Sequence, residues 1–265
     1  MSDLWANLFR TWDLLKAPLR PHPDVVEVMK RELRTERAEM ALFGVTPEFA
    51  RFGRSLVAVD ANPHMIKALW IGDDATRKAV EGNWLDLPLA NASIDAIVGD
   101  GCLSAVTTEA QRLKCLEEMA RVLKPGGRAG IRLFARPKRT EPLDAIKADA
   151  LAGRIKAIAE IVLRTALSLP TEAPDYGLKM SAVLDAINAT FGDRAELMAA
   201  TGWQPGAFAF IDLYKGSDTV CCWLNEDIHL AEASRFFENV RLVPSGDYAV
   251  AERCPVLVVS SPRAR

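Results

Sequence analysis

The sequence has no excess of charge of either sign. It contains 33 basic and 35 acidic residues, which gives a formal net charge of −2. A strongly basic surface draws a protein to nucleic acid or to anionic lipid, so the balance of charge favours neither partner here. The hydrophobic fraction of 49% and the charged fraction of 26% are typical of a globular protein with a large core. We therefore expect a small molecule as the partner.

The sequence also lacks a long apolar run. No stretch approaches the roughly 20 residues that a helix needs to cross a bilayer. The first residues, MSDLWANLFRTWD, are amphipathic and carry acidic residues early, unlike a signal peptide or a membrane anchor. We therefore expect no membrane attachment and a cytoplasmic location.

Metal-binding and disulfide patterns are missing as well. The five cysteines form no CxxC pair and have no His/Cys spacing suited to zinc. No metal site is predicted, and reduced thiols in the core or in a pocket are favoured over a disulfide framework. These cysteines are Cys102, Cys115, Cys221, Cys222 and Cys254.

Residues 40–60 predict the first half of a nucleotide-binding α/β unit. A buried strand is expected at residues 40–43, followed by a tight loop at Gly44, a short helix opened by Pro47, and a second strand that ends at Asp60. In such folds the ligand lies at the carboxyl ends of the strands. An acidic residue that closes the second strand, roughly 20 residues after the first, hydrogen-bonds a ribose hydroxyl. The three-glycine fingerprint is reduced to Gly44, which disfavours a nicotinamide oxidoreductase.

The remaining chain alternates predicted strands and helices. Strands are expected at residues 77–81, 93–99, 128–134, 240–243 and 256–260, and helices at residues 4–16, 24–37, 109–123, 194–200 and 230–237. A further helix begins at Pro63 with Asn62 as its cap. Residues 140–191 are helical in pattern and are interrupted by the turn LPTEAPDYG. The order β-α-β-α-β-β-α-β predicts a doubly wound α/β sheet.

Two segments in the middle of the chain carry a specific combination of motifs. They are GNWLDLPLANASIDAIVGDGCL and CLEEMARVLKPGGRAGIRLF. The polar residue Asn83 precedes the Leu87-Pro88 pair, a strand opens with Ile94-Asp95, and a helix ends in RVLKPGG. This combination resembles the class I S-adenosylmethionine-dependent methyltransferase family over residues 40–134. The two closing strands fit the antiparallel hairpin that ends the family's fold.

The resemblance implies a Rossmann-like methyltransferase fold with a doubly wound, mostly parallel seven-stranded sheet. It implies one domain over residues 1–265, with an N-terminal helical flap at 1–39 and a cofactor-binding core at 40–139. A helical cap is expected as an insertion after the fifth strand, at 140–238, and the closing strands at 239–265.

The resemblance also implies a site for S-adenosylmethionine. Gly44, Val45 and Thr46 would lie along the methionine part of the cofactor. The Asp60 carboxylate would accept hydrogen bonds from the ribose hydroxyls, since two donors suit one carboxylate. The neighbouring residues expected in the same site are Ala61 and Met65.

Two pairs of residues later in the chain would hold the adenine and the methyl end of the cofactor. Asn83 stands where the family has an aspartate near the adenine amino group, and Trp84 would lie against the adenine ring. Asp100 and Gly101 would line the methionine or methyl end, where a carboxylate attracts the cofactor's ammonium group.

Each of these residues has a structural alternative. Asp60 also suits a turn, Trp84 also suits a core, and Asp100-Gly101 is a common turn pair. The first loop departs from the family pattern because Thr46 replaces a glycine and Pro47 removes an amide donor. A non-catalytic binding or regulatory protein of the same fold therefore stays open as an alternative.

The reaction implied is direct displacement of the methyl group by a nucleophile on a small molecule. Alignment of the reactants and exclusion of water are then the main tasks of the protein. The candidate bases are His22, His64 and His229, each of which also suits a loop or the surface, and no catalytic residue is assigned.

Overall fold

Seven strands form one sheet in this computed structural model, which describes residues 4, 7 and 9–263. In chain order the nine strands of the described residues are β1 (Glu39–Phe43), β2 (Ser55–Asp60), β3 (Arg77–Glu81), β4 (Ile94–Asp100), β5 (Leu123–Arg132), β6 (Gly177–Lys179), β7 (Val220–Cys222), β8 (Phe237–Val243) and β9 (Val256–Pro262). The main sheet has the order β3-β2-β1-β4-β5-β9-β8, and β9 is antiparallel to both of its neighbours. The predicted mostly parallel, seven-stranded sheet is confirmed.

Helices cover the sheet and build a cap beside it. They are α1 (Pro23–Leu33), α2 (Pro63–Leu69), α3 (Glu109–Val122), α4 (Leu143–Leu151), α5 (Ile158–Ser168), α6 (Met180–Phe191), α7 (Arg194–Thr201), α8 (Ala209–Asp212) and α9 (Glu226–Ser234). A 3-10 helix at Phe9–Leu14 belongs to the N-terminal flap. The helix predicted at residues 4–16 falls partly on residues 5, 6 and 8, which lie outside the described residues.

Side-chain caps explain where two helices begin. The Asn62 Oδ1 atom accepts the backbone N–H groups of His64 at 2.9 Å and Met65 at 3.4 Å, and Pro63 opens α2 as predicted. The Thr108 hydroxyl accepts the N–H of Gln111 at 3.2 Å at the start of α3. Both caps satisfy amide groups that have no partner within the helix.

Some predicted elements differ from the observed ones. Only one 3-10 turn, Pro47–Phe49, stands where a short helix was expected between β1 and β2. Helix α1 ends at Leu33 rather than near residue 37, because Arg34 takes the left-handed conformation with φ 50°. Helix α9 starts four residues earlier than predicted and ends before Phe237, where β8 begins. The two-stranded sheet of β6 and β7 was not predicted, since each strand has only three residues.

Buried side chains form three clusters, two on the main sheet and one in the cap. One sheet cluster contains Phe43, Ile97 and residues of α3, and the other contains Leu42, Val98 and residues of α1. The third cluster packs α4 to α8 against flap residues such as Leu15. All five cysteines are free and buried. Among the described helices, none has the length and apolar character needed to span a membrane.

Candidate functional site

A cavity of about 330 Å³ lies at the carboxyl ends of β1, β2 and β4. We call it the strand-end cavity. In the sheet, β2 lies on one side of β1 and β4 lies on the other, so the direction of the strand order reverses between β1 and β4. Ligands of doubly wound proteins bind outside the strand ends at this reversal. The volume also lies in the range of small-molecule sites, about 300–1,000 Å³.

The structure brings all ten residues of the predicted site to this cavity. They are Gly44, Val45, Thr46, Asp60, Ala61, Met65, Asn83, Trp84, Asp100 and Gly101. The lining also includes residues that sequence analysis did not place in the site: Trp12, Phe43, Asn62, Leu69, Leu85, Cys102, Ala105, Val106 and Gln111. The predicted residues therefore share one location, although they come from four separate segments of the chain.

Asp60 ends β2 with one carboxylate oxygen bonded and the other available. Its Oδ1 atom accepts the backbone N–H of Asn62 at 2.8 Å, and no side chain or amide of the described residues donates to Oδ2. Burial raises the pKa of Asp60 from its ordinary 3.8 to about 6, and the Asn62 amide offsets only part of this shift. An available carboxylate oxygen in a cavity suits hydroxyl donors.

Gly44 keeps the approach to Asp60 open. Its φ of +91° falls in the region that favours glycine, and an added Cβ would lie 3.7 Å from Asp60 Oδ2. The next residue, Val45, is 2% exposed and packs in the cluster that also contains Leu42. The altered first loop therefore sends the Val45 side chain to the core and leaves space beside the carboxylate.

Trp84 is held as a fixed wall of the cavity. Its indole N–H donates to the Val59 carbonyl at 2.7 Å, and the same carbonyl accepts the Gly44 amide at 2.9 Å. The Trp84 ring stacks on Phe43 with centroids 5.6 Å apart and an interplanar angle of 7°. Trp84 therefore packs on the core residue Phe43 and also lines the cavity.

The Asn83 side chain is already engaged in its own turn. Its Oδ1 atom accepts the backbone N–H of Leu85 at 2.9 Å. To accept a hydrogen bond from the adenine amino group as well, Asn83 Oδ1 would use its second lone pair, because an amide oxygen has two.

Asp100 ends β4 opposite Arg132 of β5, in register. Arg132 donates to both carboxylate oxygens, with Nη2 3.0 Å from Oδ2, and the two side chains are 0% and 6% exposed, respectively. Burial opposes the charged form of Arg132, but the Asp100 carboxylate outweighs this effect and raises the pKa of Arg132. The carboxylate that was expected to attract an ammonium group therefore has a cationic partner within the protein.

The flap supplies Trp12 to the same cavity. Arg132 fixes the flap through a hydrogen bond from Nη1 to the Pro18 carbonyl at 2.6 Å. Arg20 forms an ion pair with Glu48 and lies over the Trp12 ring, 5.5 Å from its centroid. Trp12 lies far along the chain from the other lining residues, so its place in this cavity follows from the tertiary structure.

Asn62 has a polar atom that the fold does not use. It is 4% exposed, and its Nδ2 atom has no hydrogen-bond partner among the described residues. Its position two residues after Asp60 is a signal that could have placed it in the site. We predicted only that Asn62 caps α2, and its Oδ1 atom provides that cap.

The three histidines do not line the strand-end cavity. His22 caps α1 and stacks on Tyr248, His64 is exposed at the start of α2, and His229 is buried in α9. Burial, with a smaller contribution from Arg112, lowers the pKa of His229 to about 3. Across residues 4, 7 and 9–263, no group of three His, Cys, Asp or Glu side chains is placed to hold a metal ion.

The middle of the chain matches a known family model. Residues 44–131 match the family model described as a methyltransferase domain. A search of curated protein sequences finds no match.

Solved structures resemble the whole chain at low identity. One from Rhodobacter sphaeroides, described as a putative Zn-dependent alcohol dehydrogenase, has a TM-score of 0.54 and 12% identity over 97% of this chain and 98% of its own. A putative methyltransferase in complex with the Trm112 methyltransferase activator of Haloferax volcanii has a TM-score of 0.51 and 12% identity, covering 99% and 96%. The N-methyltransferase NodS of Bradyrhizobium japonicum, in complex with S-adenosyl-L-homocysteine, has a TM-score of 0.49 and 12% identity, covering 98% and 99%. At these identities the likeness concerns the fold.

Proposed function

We propose that this chain, whose residues 44–131 match a methyltransferase domain, is a class I S-adenosylmethionine-dependent methyltransferase that methylates a small molecule by direct displacement. The observation that carries this proposal is the single cavity bordered by all ten residues that the family resemblance implies. Four of the segments that meet there follow β1, β2, β3 and β4, which is where a doubly wound sheet binds a nucleotide-like ligand.

The residues present suit the cofactor. Asp60 offers an available carboxylate oxygen to the ribose hydroxyls, and Gly44 has no side chain to obstruct it. Asn62 adds a buried amide donor without a partner in the described part of the chain. Because S-adenosylmethionine has no pyrophosphate, a glycine-poor first loop is a smaller obstacle for it than for a dinucleotide.

Each segment has a separate task in this proposal. Gly44, Val45 and Thr46 lie along the methionine part, Asn83 and Trp84 hold the adenine, and Ala61 and Met65 border the ribose region. Asp100 and Gly101 border the methyl end. The Asp100–Arg132 pair keeps that end neutral overall, since one negative and one positive charge lie together.

When bound, S-adenosylmethionine would supply an electrophilic methyl group to a lone pair of the acceptor. The new bond would form to the methyl carbon, and the electrons of the broken C–S bond would remain on sulfur. The products would be the methylated acceptor and S-adenosylhomocysteine, and any acceptor proton would pass to water. The protein's contribution is alignment and the exclusion of water. Trp12 of the flap supports this role, because it lines the cavity together with the loops that follow the strands.

Calorimetric titration with S-adenosylmethionine, S-adenosylhomocysteine and NAD tests the proposal. We expect both sulfur compounds to bind and NAD not to bind. Failure of both sulfur compounds to bind at millimolar concentration would overturn it. Binding without formation of S-adenosylhomocysteine in the presence of small-molecule acceptors would favour the non-catalytic alternative.

A further inference from the structure

A second cavity, of about 160 Å³, adjoins the strand-end cavity. We call it the cap cavity. The two cavities share five lining residues, namely Trp12, Thr46, Asp100, Gly101 and Ala105. The shared residues include the pair proposed to border the methyl end of the cofactor. A molecule in the cap cavity would therefore lie next to the methyl group.

Most of the walls of the cap cavity are apolar and come from the flap and the cap. Leu15 and Leu19 come from the flap, and Val162, Leu163 and Ala166 come from α5. Dispersion and the hydrophobic effect favour an apolar ligand in such a space. An apolar cavity of about 150 Å³ holds a molecule the size of benzene.

The described residues present no net charge to this space. Asp100 is the only charged residue among the described lining residues, and Arg132 neutralises it. Burial raises the pKa of Cys221 to about 12 and also raises the pKa of Tyr214, so both side chains remain protonated at neutral pH. A charged ligand would lose its hydration without gaining a counter-ion.

Two residues that line the cap cavity carry indole N–H groups without partners among the described residues. The indole Nε1 atoms of Trp12 and Trp223 are buried and make no hydrogen bond to the described residues. Trp223 is 5% exposed. A buried N–H group without a partner is unfavourable, so an acceptor atom on a ligand would remove that cost.

We propose that the cap cavity is the methyl-acceptor subsite and that it takes an uncharged, one-ring apolar molecule whose oxygen accepts a hydrogen bond from the indole N–H of Trp223. This inference rests on the proposed methyltransferase function. The cap and flap, rather than the sheet, then determine which molecule is methylated.

The test uses the full chain saturated with S-adenosylhomocysteine and three probes of similar size. p-Cresol is uncharged and carries an oxygen, toluene lacks the oxygen, and benzoate is an anion. Ligand-observed NMR measures the affinity of each. We expect p-cresol to bind about tenfold more tightly than toluene, because toluene leaves the indole donor unpaired, and we expect no binding of benzoate. Equal affinity for p-cresol and toluene, or binding of benzoate, would overturn the inference.

A pair of substitutions locates the site. Trp223→Phe removes the N–H group and keeps an aromatic ring, so the preference for p-cresol over toluene should disappear. Trp203→Phe is the matched control, since Trp203 packs on Phe208 in the same cap cluster and does not line the cap cavity. An unchanged preference in a folded Trp223→Phe variant would rule out the Trp223 contact.

The two proposals fail in different ways. If S-adenosylhomocysteine itself does not bind, the proposed function is wrong. If it binds but none of the three probes does, the proposed function stands and the acceptor subsite is wrong.

Discussion

The Arg132 guanidinium donates to both carboxylate oxygens of Asp100 in the buried space where β4 and β5 end. The same guanidinium reaches the Pro18 carbonyl of the flap at 2.6 Å. One side chain therefore neutralises the carboxylate beside both cavities and attaches the flap that carries Trp12. Removal of either partner should affect stability more than an ordinary surface ion pair does.

Arg132→Met should lower the free energy of unfolding by about 3–5 kcal/mol, because it leaves Asp100 buried without a counter-ion. Urea denaturation at pH 7 measures the loss. Arg128→Met is the control on the same strand and should cost at most about 1 kcal/mol, since the Arg128 side chain makes a single hydrogen bond to the described residues, to the Glu32 carbonyl at 3.2 Å. The double variant Asp100→Asn/Arg132→Met should recover part of the loss. No recovery would contradict the pairing.

Asp60→Ala should weaken the binding of S-adenosylhomocysteine by about 1.5–3 kcal/mol, which is roughly 10- to 150-fold. The reason is the loss of the carboxylate proposed to accept the ribose hydroxyls. Calorimetric titration measures the change. Asp86→Ala serves as the control, because Asp86 lies in the turn after Asn83 and does not line the strand-end cavity. Equal affinity of the Asp60 variant and the unmodified protein would exclude this role.

The affinity for S-adenosylhomocysteine should fall as the pH drops through about 6, because Asp60 takes up a proton there and loses acceptor capacity. In Asp60→Asn this part of the pH dependence should be absent. Calorimetric titrations at several pH values between about 5 and about 8, a range that brackets this pKa, compare the two proteins. The same slope in both would show that another group is responsible.

The stability of the ligand-free protein should change with pH in the opposite sense. Because burial raises the pKa of Asp60 above its ordinary 3.8, the folded state binds the proton more tightly than the unfolded state. The contribution of Asp60 to stability therefore rises as the pH falls from about 6 toward 4, and it is unfavourable above that window. Urea denaturation of the unmodified protein and of Asp60→Asn at several pH values isolates this contribution.

Gly101→Ala should destabilise the protein more than Gly126→Ala. Both glycines have positive φ, +60° and +77°, so both substitutions carry a backbone cost of the order of 1 kcal/mol. At Gly101 the new Cβ would also lie 2.6 Å from Phe134, whereas at Gly126 nothing lies within 4 Å. Overpacking adds about 1–3 kcal/mol. Equal losses in urea denaturation would show that the Phe134 ring moves aside freely.

Much of the site followed from local patterns. Asp60 could be placed because an apolar run ends there, and the start of α2 followed from the Asn62-Pro63 pair. Each of these features depends on neighbours in the sequence. The single 3-10 turn after Pro47 could not be foreseen in the same way, because the packing of Phe49 in the core determines how the short crossover is completed.

The sequence by itself determined the succession of the main-sheet strands along the chain and, within a few residues, the positions of the strand ends. These follow from hydrophobic periodicity and from turn and cap residues, which act over a few positions. The ten residues that meet at the strand-end cavity were predicted from the family resemblance that motifs of the same sequence carry. Only the tertiary structure decided that Arg132 takes the Asp100 carboxylate, that Trp12 reaches both cavities, and that Trp223 has an unpaired N–H group at the cap cavity. Such contacts join residues far apart in the chain, and the packing of flap, cap and sheet sets them.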